Sequence, residues 1–167
     1  MGSWNIRRTS QLKVIKNFLE EEEFIKLQGI FMSAHCPYYF QTCVADYGDK
    51  DYMFTHTLFD NYNPNSELYK YTETLIKKLN IFALKRMRVM CYPRTEKLIR
   101  HKTHVDYKEK HKGAVFFLNT CNGGIYIEDK FIKSEENTVV KFDSSIPHSS
   151  TNCTDEKARF ILNTNYM

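Results

Sequence analysis

From Lys85 to the C-terminus the chain is a run of short, apolar-rich segments at hairpin distances, and that spacing leaves few folds open. Eight such segments are visible, at residues 86–92, 98–105, 114–118, 125–128, 130–133, 138–142, 148–151 and 158–164. Asn122-Gly123-Gly124, Glu128-Asp129 and the stretch from Ser144 to Pro147 separate several of them with residues that favour turns. Short strands in close succession, with few helices among them, build a sandwich or a barrel. Aromatic residues make up 14% of the chain, which suits side chains that pack on pleated sheets.

The first 84 residues read differently. Residues 12–19 alternate as a strand, and residues 20–33 as a helix with Phe24, Leu27 and Phe31 on one side. Glu20 to Glu23 sit at its start, where the helix dipole favours negative charge. The stretch 36–60 is aromatic and irregular, with a turn at Gly48 and a strand at 53–59. Ser66 caps a second expected helix over 66–80, whose stripe of Leu68, Tyr71, Leu75 and Leu79 belongs to a core. The expectation is one domain over 1–167, mostly β: a strand-and-helix support (1–84) packed on one outer face of a β core (85–167).

Composition removes several function classes. Hydrophobic residues at 42% and charged residues at 26% describe a soluble globular chain. A net charge of +4, with no face flooded by Lys and Arg, is no electrostatic footprint for nucleic acid and argues against such a partner. The longest apolar run, Ala114 to Leu118, is too short to cross a bilayer. Five cysteines, an odd number without a CxxC pair, argue against a zinc ribbon or a disulfide framework. Free thiols, together with a polar start carrying Arg7 and Arg8 rather than a secretion signal, point to a reducing, cytoplasmic setting.

Chemistry is concentrated in His104-Val105-Asp106, His148 and Arg159. On a strand, His104 and Asp106 point the same way, and His101, at an odd offset, points away. His148 follows Pro147 at the start of a late strand, which a neighbouring strand can bring beside the pair. Two imidazoles and one carboxylate suit Fe(II) or Zn(II), and positions left open on the metal favour a non-haem iron oxygenase. An HxD tripeptide alone carries little weight. Arg159, inside the apolar strand Ala158-Arg159-Phe160-Ile161-Leu162, adds much more, since an arginine there needs a partner. Its planar fork suits a bidentate carboxylate, although a structural Asp or Glu is the bland alternative.

With these residues in view, the chain resembles the 2-oxoglutarate and iron(II)-dependent oxygenases, in the branch similar to prolyl 4-hydroxylases, whose compact members occur in bacteria and bacteriophages. RVMCYPRTEK, HVD, GAVFFLNTCNGG, VVKFDSSIPHSS and KARFILN resemble the double-stranded β-helix (jelly-roll) core of that superfamily, and VIKNFLEEEEF resembles the strand and helix that precede it. The resemblance implies that His104, Asp106 and His148 ligate Fe(II) and that Arg159 binds the C5 carboxylate of 2-oxoglutarate. Tyr92 stands where this branch often has a tyrosine that holds the co-substrate; a core aromatic is the competing reading. Its strand neighbours Arg88 and Met90 share its face. Ile161 occupies the place of the family's frequent serine or threonine, which leaves Asn163 or Tyr92 for any extra hydrogen bond.

The implied reaction couples decarboxylation of 2-oxoglutarate to hydroxylation of a C–H bond by O2, with ascorbate as a possible reductant. Three readings compete for this chain: a hydroxylase of a peptidyl residue such as proline, an oxygenase of a free amino acid, other small molecule or nucleobase, and a non-catalytic ligand-binding barrel. A demethylase of alkylated nucleic acid would carry a second arginine at position 165, which is Asn165. Tyr38, Tyr39, Phe40, Tyr47 and Tyr52 can grip a peptide or pack between helices and barrel. The basic residues between Lys97 and Lys112 can steer an anion or form a solvated surface.

Overall fold

The computed structural model describes residues 12–167, so the polar start with Arg7 and Arg8 lies outside the described residues. In chain order the strands are β1 (Lys13–Ile15), β2 (Tyr39–Gln41), β3 (Met53–Asp60), β4 (Asn63–Pro64), β5 (Leu84–Pro93), β6 (Lys112–Phe117), β7 (Gly124–Ile127), β8 (Lys130–Lys133), β9 (Thr138–Asp143), β10 (His148–Ser150) and β11 (Ala158–Tyr166). The helices are α1 (Glu21–Phe31) and α2 (Glu73–Leu79), the latter preceded by a 3-10 helix at Glu67–Thr72. The strands form two antiparallel sheets, an architecture of the jelly-roll type. The larger runs β1-β9-β6-β11-β5-β3-β2, with β4 on β3, and the smaller runs β10-β7-β8.

Alternation along the larger sheet builds two cores, one on each face. Met87 and Val89 of β5, Ala114 and Phe116 of β6, and Leu162 of β11 face outward, where Phe24, Leu27 and Phe31 of α1 and Leu75 and Leu79 of α2 cover them. Met90 and Tyr92 of β5, Val115 and Phe117 of β6, Val140 and Phe142 of β9 and Ile161 of β11 face the smaller sheet, meeting Ile125, Ile127 and Ile132. At about 25 cal/mol per Å2 of apolar area removed from water, each fully buried Phe or Leu contributes on the order of 2 kcal/mol to this sandwich. The helices thus pack on one outer face, as expected.

Three local readings need correction. The segment 98–105 is not a strand; it makes only isolated bridges, Arg100 to Thr151 and His104 to His148. Its alternating Arg100, Lys102 and His residues leave neither face apolar, and side chains replace the ladder: Ile99 N–H donates to Asn152 Oδ1 at 2.8 Å and Thr95 Oγ1 to the Lys97 carbonyl at 2.6 Å. The second helix begins as a 3-10 helix. Ser66 Oγ caps it, accepting from Leu68 N at 3.1 Å, and Thr72 Oγ1 donates back to the Tyr69 carbonyl at 2.7 Å. Three residues per turn carries Tyr71 out of the apolar stripe, and it is exposed. The strand expected over 12–19 shortens to β1, because Asn17 takes a positive φ of 49° and turns Phe18 and Leu19 into the core.

Candidate metal centre

The turn after β9 delivers His148 to the start of β10. Asp143 holds that turn: its Oδ1 accepts from Ser145 N at 3.1 Å, and its carbonyl accepts from Ile146 N at 3.0 Å. Across from it, His104 and His148 exchange both backbone hydrogen bonds, each 2.9 Å. This reciprocal pair, rather than a continuous strand, sets the two rings 4.6 Å apart between centroids. His148 Nδ1 lies 2.8 Å from the Ile146 carbonyl and His104 Nδ1 3.2 Å from the Lys102 carbonyl. With the proton on Nδ1, each ring donates to its carbonyl and leaves Nε2 free to ligate.

Both Nε2 atoms face Asp106. His104 Nε2 is 4.0 Å from Oδ1 and His148 Nε2 3.7 Å from Oδ2, and one donor atom from each residue lies within 4.8 Å of the others. Two further side chains hold Asp106 through the same oxygens. Arg86 donates to Oδ1 at 3.0 Å and Asn165 Nδ2 to Oδ2 at 2.8 Å. Burial pushes the Asp106 carboxyl up, but Arg86, His148 and the Asn165 hydrogen bond outweigh it and hold the group below the usual carboxylate range. Burial also keeps His148 below the usual imidazole range against the pull of Asp106, which favours the neutral, ligating form. Two imidazole nitrogens with one ionised carboxylate, beside a cleft, fit a divalent first-row metal.

The centre stands in a cleft of about 300 Å3. Arg88, Tyr92, Ser150 and Asn163 line it, and residues 43–47, between β2 and β3, stand at its mouth. That loop is organised by Asp49, whose carboxylate accepts from Val44 N, Ala45 N and Asp46 N. Lys102 reaches it through Asp46 at 2.6 Å. Tyr47 lines the cleft and is exposed; Tyr39, Phe40 and Tyr52 are exposed on the flanking segments, whereas Tyr38 packs inward and donates to the Phe31 carbonyl at 2.6 Å. Lys97, Arg100, Lys102, Lys108, Lys110 and Lys112 are all exposed to solvent.

Arg159 points inward and is fully buried. Its Nε donates to the Thr151 carbonyl at 2.9 Å, Nη2 donates to Ser150 Oγ, and Nη1 has no partner. Among the described residues it makes no salt bridge, so the paired structural arginine is not what the fold contains. The guanidinium lies 4.5 Å from the centroid of Tyr92, its cross-strand neighbour. Tyr92 and Ser150 line the cleft and touch Arg159, which therefore sits one side chain behind the cleft wall. Gly123 is required beside it: a Cβ there would stand 3.0 Å from Arg159 Cδ and 2.0 Å from the Asn152 carbonyl oxygen.

His101 stays out of the metal cluster but is not solvent-facing. It is buried against Tyr92, with ring centroids 5.4 Å apart, and burial, reinforced by Arg159, pushes its pKa down to about 4. His56 is structural, bridging the Pro37 carbonyl and Ser66 Oγ at 2.7 Å each. All five cysteines are free; Cys121, Cys153 and Asp155 also bring donor atoms together, but burial raises the pKa of both thiols, that of Cys153 to about 11. Arg86, Asn165 and His111, whose Nε2 lies 3.3 Å from Asn165 Nδ2, escape the sequence reading. The available signal was a polar residue at every second position, 86 and 88 on one strand, 163 and 165 on the other.

No sequence-family model and no curated protein matches the chain. Solved structures do. A prolyl-4-hydroxylase from Pseudomonas putida superposes with a TM-score of 0.66 at 12% identity, over 95% of this chain and 92% of its own. A prolyl hydroxylase from Trichoplax adhaerens, in complex with a peptide of the hypoxia-inducible factor oxygen degradation domain, gives 0.60 at 17% identity, over 95% and 84%. The α-ketoglutarate-dependent epimerase SnoN from nogalamycin biosynthesis gives 0.67 at 10% identity, over 96% and 79%. The chain has the fold that these three structures share. No helix among the described residues is long and apolar enough to cross a membrane.

Proposed function

We propose that this protein is a 2-oxoglutarate- and Fe(II)-dependent dioxygenase that hydroxylates a C–H bond of a residue within a polypeptide, proline being one candidate. One observation carries the reading: two Nε2 atoms and one carboxylate converge beside a cleft whose wall hides a buried arginine that no carboxylate among the described residues pairs with. Iron(II) with 2-oxoglutarate and O2 would supply oxidative decarboxylation coupled to hydroxylation. The chain's residues do the rest. His104, Asp106 and His148 hold the metal, and Arg86 and Asn165 keep the carboxylate ionised and aimed. Arg159 has an unclaimed donor for the distal carboxylate of the keto acid, next to Tyr92 and Ser150. Burial of Asp106, His148 and Arg159 strengthens the charge contacts each of them makes.

The polypeptide substrate is supported by the fully exposed Tyr47 in the cleft lining, with Tyr39, Phe40 and Tyr52 exposed on the flanking segments, which offer stacking area to an extended chain. A cleft of about 300 Å3 also admits a small molecule beside the keto acid, and this is the second reading. The experiment is turnover with Fe(II), ascorbate and 2-oxoglutarate against peptide pools, free amino acids and oligonucleotides in parallel. Succinate release and a gain of one oxygen by mass with peptides is the expected result. Turnover with free amino acids or nucleobases alone replaces the polypeptide by the small substrate. Asp106→Ala should lose metal binding, and Arg159→Ala should weaken N-oxalylglycine binding by orders of magnitude while keeping the metal. If the wild type binds neither, the chain is a non-catalytic barrel.

A further inference from the structure

A second cation in the cleft has no assigned work. Arg88 stands on β5 two residues from Arg86, on the same inner face, and lines the cleft beside the triad. Among the described residues its Nε is buried without a hydrogen-bond partner and it makes no salt bridge. Its cross-strand neighbour on β11 is Asn163, whose Oδ1 is also buried and unpartnered and which lines the same cleft. Orphaned donors and acceptors are uncommon in native interiors, and a facing pair of them marks a place for a ligand.

Charge leads the same way. Arg86 is matched by Asp106, and Asp46 of the mouth by Lys102. Among the described residues at the cleft, the charges left without an ion pair are Arg88 and, behind the wall, Arg159. A divalent metal with these two arginines amounts to four positive charges, and a keto-acid dianion answers two of them. The remaining excess sits in a low-dielectric cleft, where an anion is attracted strongly.

Resting on the reading above, we propose that Arg88 and Asn163 are specificity-determining residues that receive a carboxylate and an adjacent N–H of the substrate, so the molecule oxidised is an acid. The guanidinium takes the carboxylate, and the Asn163 carbonyl oxygen takes the N–H. Two sources present this chemistry: an aspartyl or glutamyl residue within a peptide, and a free amino acid. The wrong substrate is rejected because an amide in place of the carboxylate leaves Arg88 desolvated and unpaired.

The test uses the full chain loaded with Zn(II) and saturated with N-oxalylglycine, so that no turnover occurs. Matched probes are titrated calorimetrically: end-blocked Gly-Asp-Gly and Gly-Glu-Gly against Gly-Asn-Gly, Gly-Gln-Gly and Gly-Pro-Gly, and free aspartate and glutamate against both their side-chain amides, asparagine and glutamine, and their α-carboxamides, isoasparagine and isoglutamine. At least one acid should bind about tenfold or more tighter than its amide, the scale of a charge-assisted hydrogen bond. The arm in which this occurs identifies the source. Arg88→Gln should reduce the preference to under about threefold, and Arg88→Lys, which keeps the charge, should restore part of it. N-oxalylglycine itself, titrated into each Zn(II)-loaded variant, should keep its affinity within about threefold and so report that the site is folded. A panel in which no acid outbinds its amide overturns the proposal. So does a loss of N-oxalylglycine binding of about 100-fold in both Arg88 variants, which would give Arg88 to the keto acid. Failure of the wild type to bind N-oxalylglycine at all is the different result that sinks the oxygenase reading.

Discussion

Replacing Arg86 by methionine separates what the fold needs from what the metal needs. Asp106 is 6% exposed and Arg86 15%, and their contact is 3.0 Å. Removing one partner of a buried ion pair costs about 3–5 kcal/mol. Two features reduce that here: Arg86 is not fully buried, and Asn165 still serves the other carboxylate oxygen. A loss of about 2–3 kcal/mol is therefore expected in the metal-free protein. A bound dication gives Asp106 a new counter-charge, so the metal-loaded protein should lose only about 1 kcal/mol. By the cycle, apparent metal affinity rises by roughly tenfold in Arg86→Met. The pH dependence has a definite sign. A carboxyl held below its unfolded value contributes stability above about pH 4, and this is lost as pH falls through the folded value. Without Arg86 the acid unfolding limb of the metal-free protein should move to higher pH. Urea denaturation with EDTA and with saturating Zn(II), together with a chelator competition, measures each quantity. Equal losses in the two forms would refute the reasoning and make Arg86 a packing residue.

His101 supplies a second pH probe: its pKa is about 4 in the fold and the ordinary histidine value unfolded, so the unfolded chain binds the extra proton between these values. Stability should fall by about 2–3 kcal/mol as pH drops from 6.5 to 4, and His101→Gln should flatten that slope in urea titrations. Gly123→Ala should cost about 3 kcal/mol because the added Cβ meets backbone, and it should weaken N-oxalylglycine binding by displacing Arg159. Gly29→Ala on α1 meets nothing within 4 Å and should stabilise by about 0.5–1 kcal/mol, read as a rise in Tm.

The triad was legible because its residue types are uncommon together and because Pro147 and the preceding turn mark where a strand restarts. The seven strands from β5 to β11 were legible from their turn residues and alternation. The segment 98–105 misled because a period of two made by Arg100, Lys102 and His104 mimics a strand without offering an apolar face. The 3-10 start of the second helix depends on one hydroxyl, Thr72 Oγ1, competing for a backbone carbonyl, a choice that periodicity does not record. Arg86 and Asn165 were invisible for a different reason. They meet because Asn165 pairs with Arg86 across β5 and β11, and nothing local to either strand says that these two are neighbours. That Arg159 meets no carboxylate among the described residues depends in the same way on which distant segments the fold brings beside it.

The larger sheet is also a partition between two kinds of heritable change. Along β5, Met87 and Val89 look to the helices while Arg86, Arg88, Met90 and Tyr92 look to the cleft. Mutations at the first set adjust how well the scaffold survives heat or proteolysis, and mutations at the second adjust what it accepts. A lineage can therefore drift in one without retuning the other, by point substitution. Insertion or deletion of a single residue in β5 is another matter, because it would turn every arginine of the cleft toward the helices at once. Length along this strand should be held far more tightly than identity, while the loops at the mouth are free to vary in both.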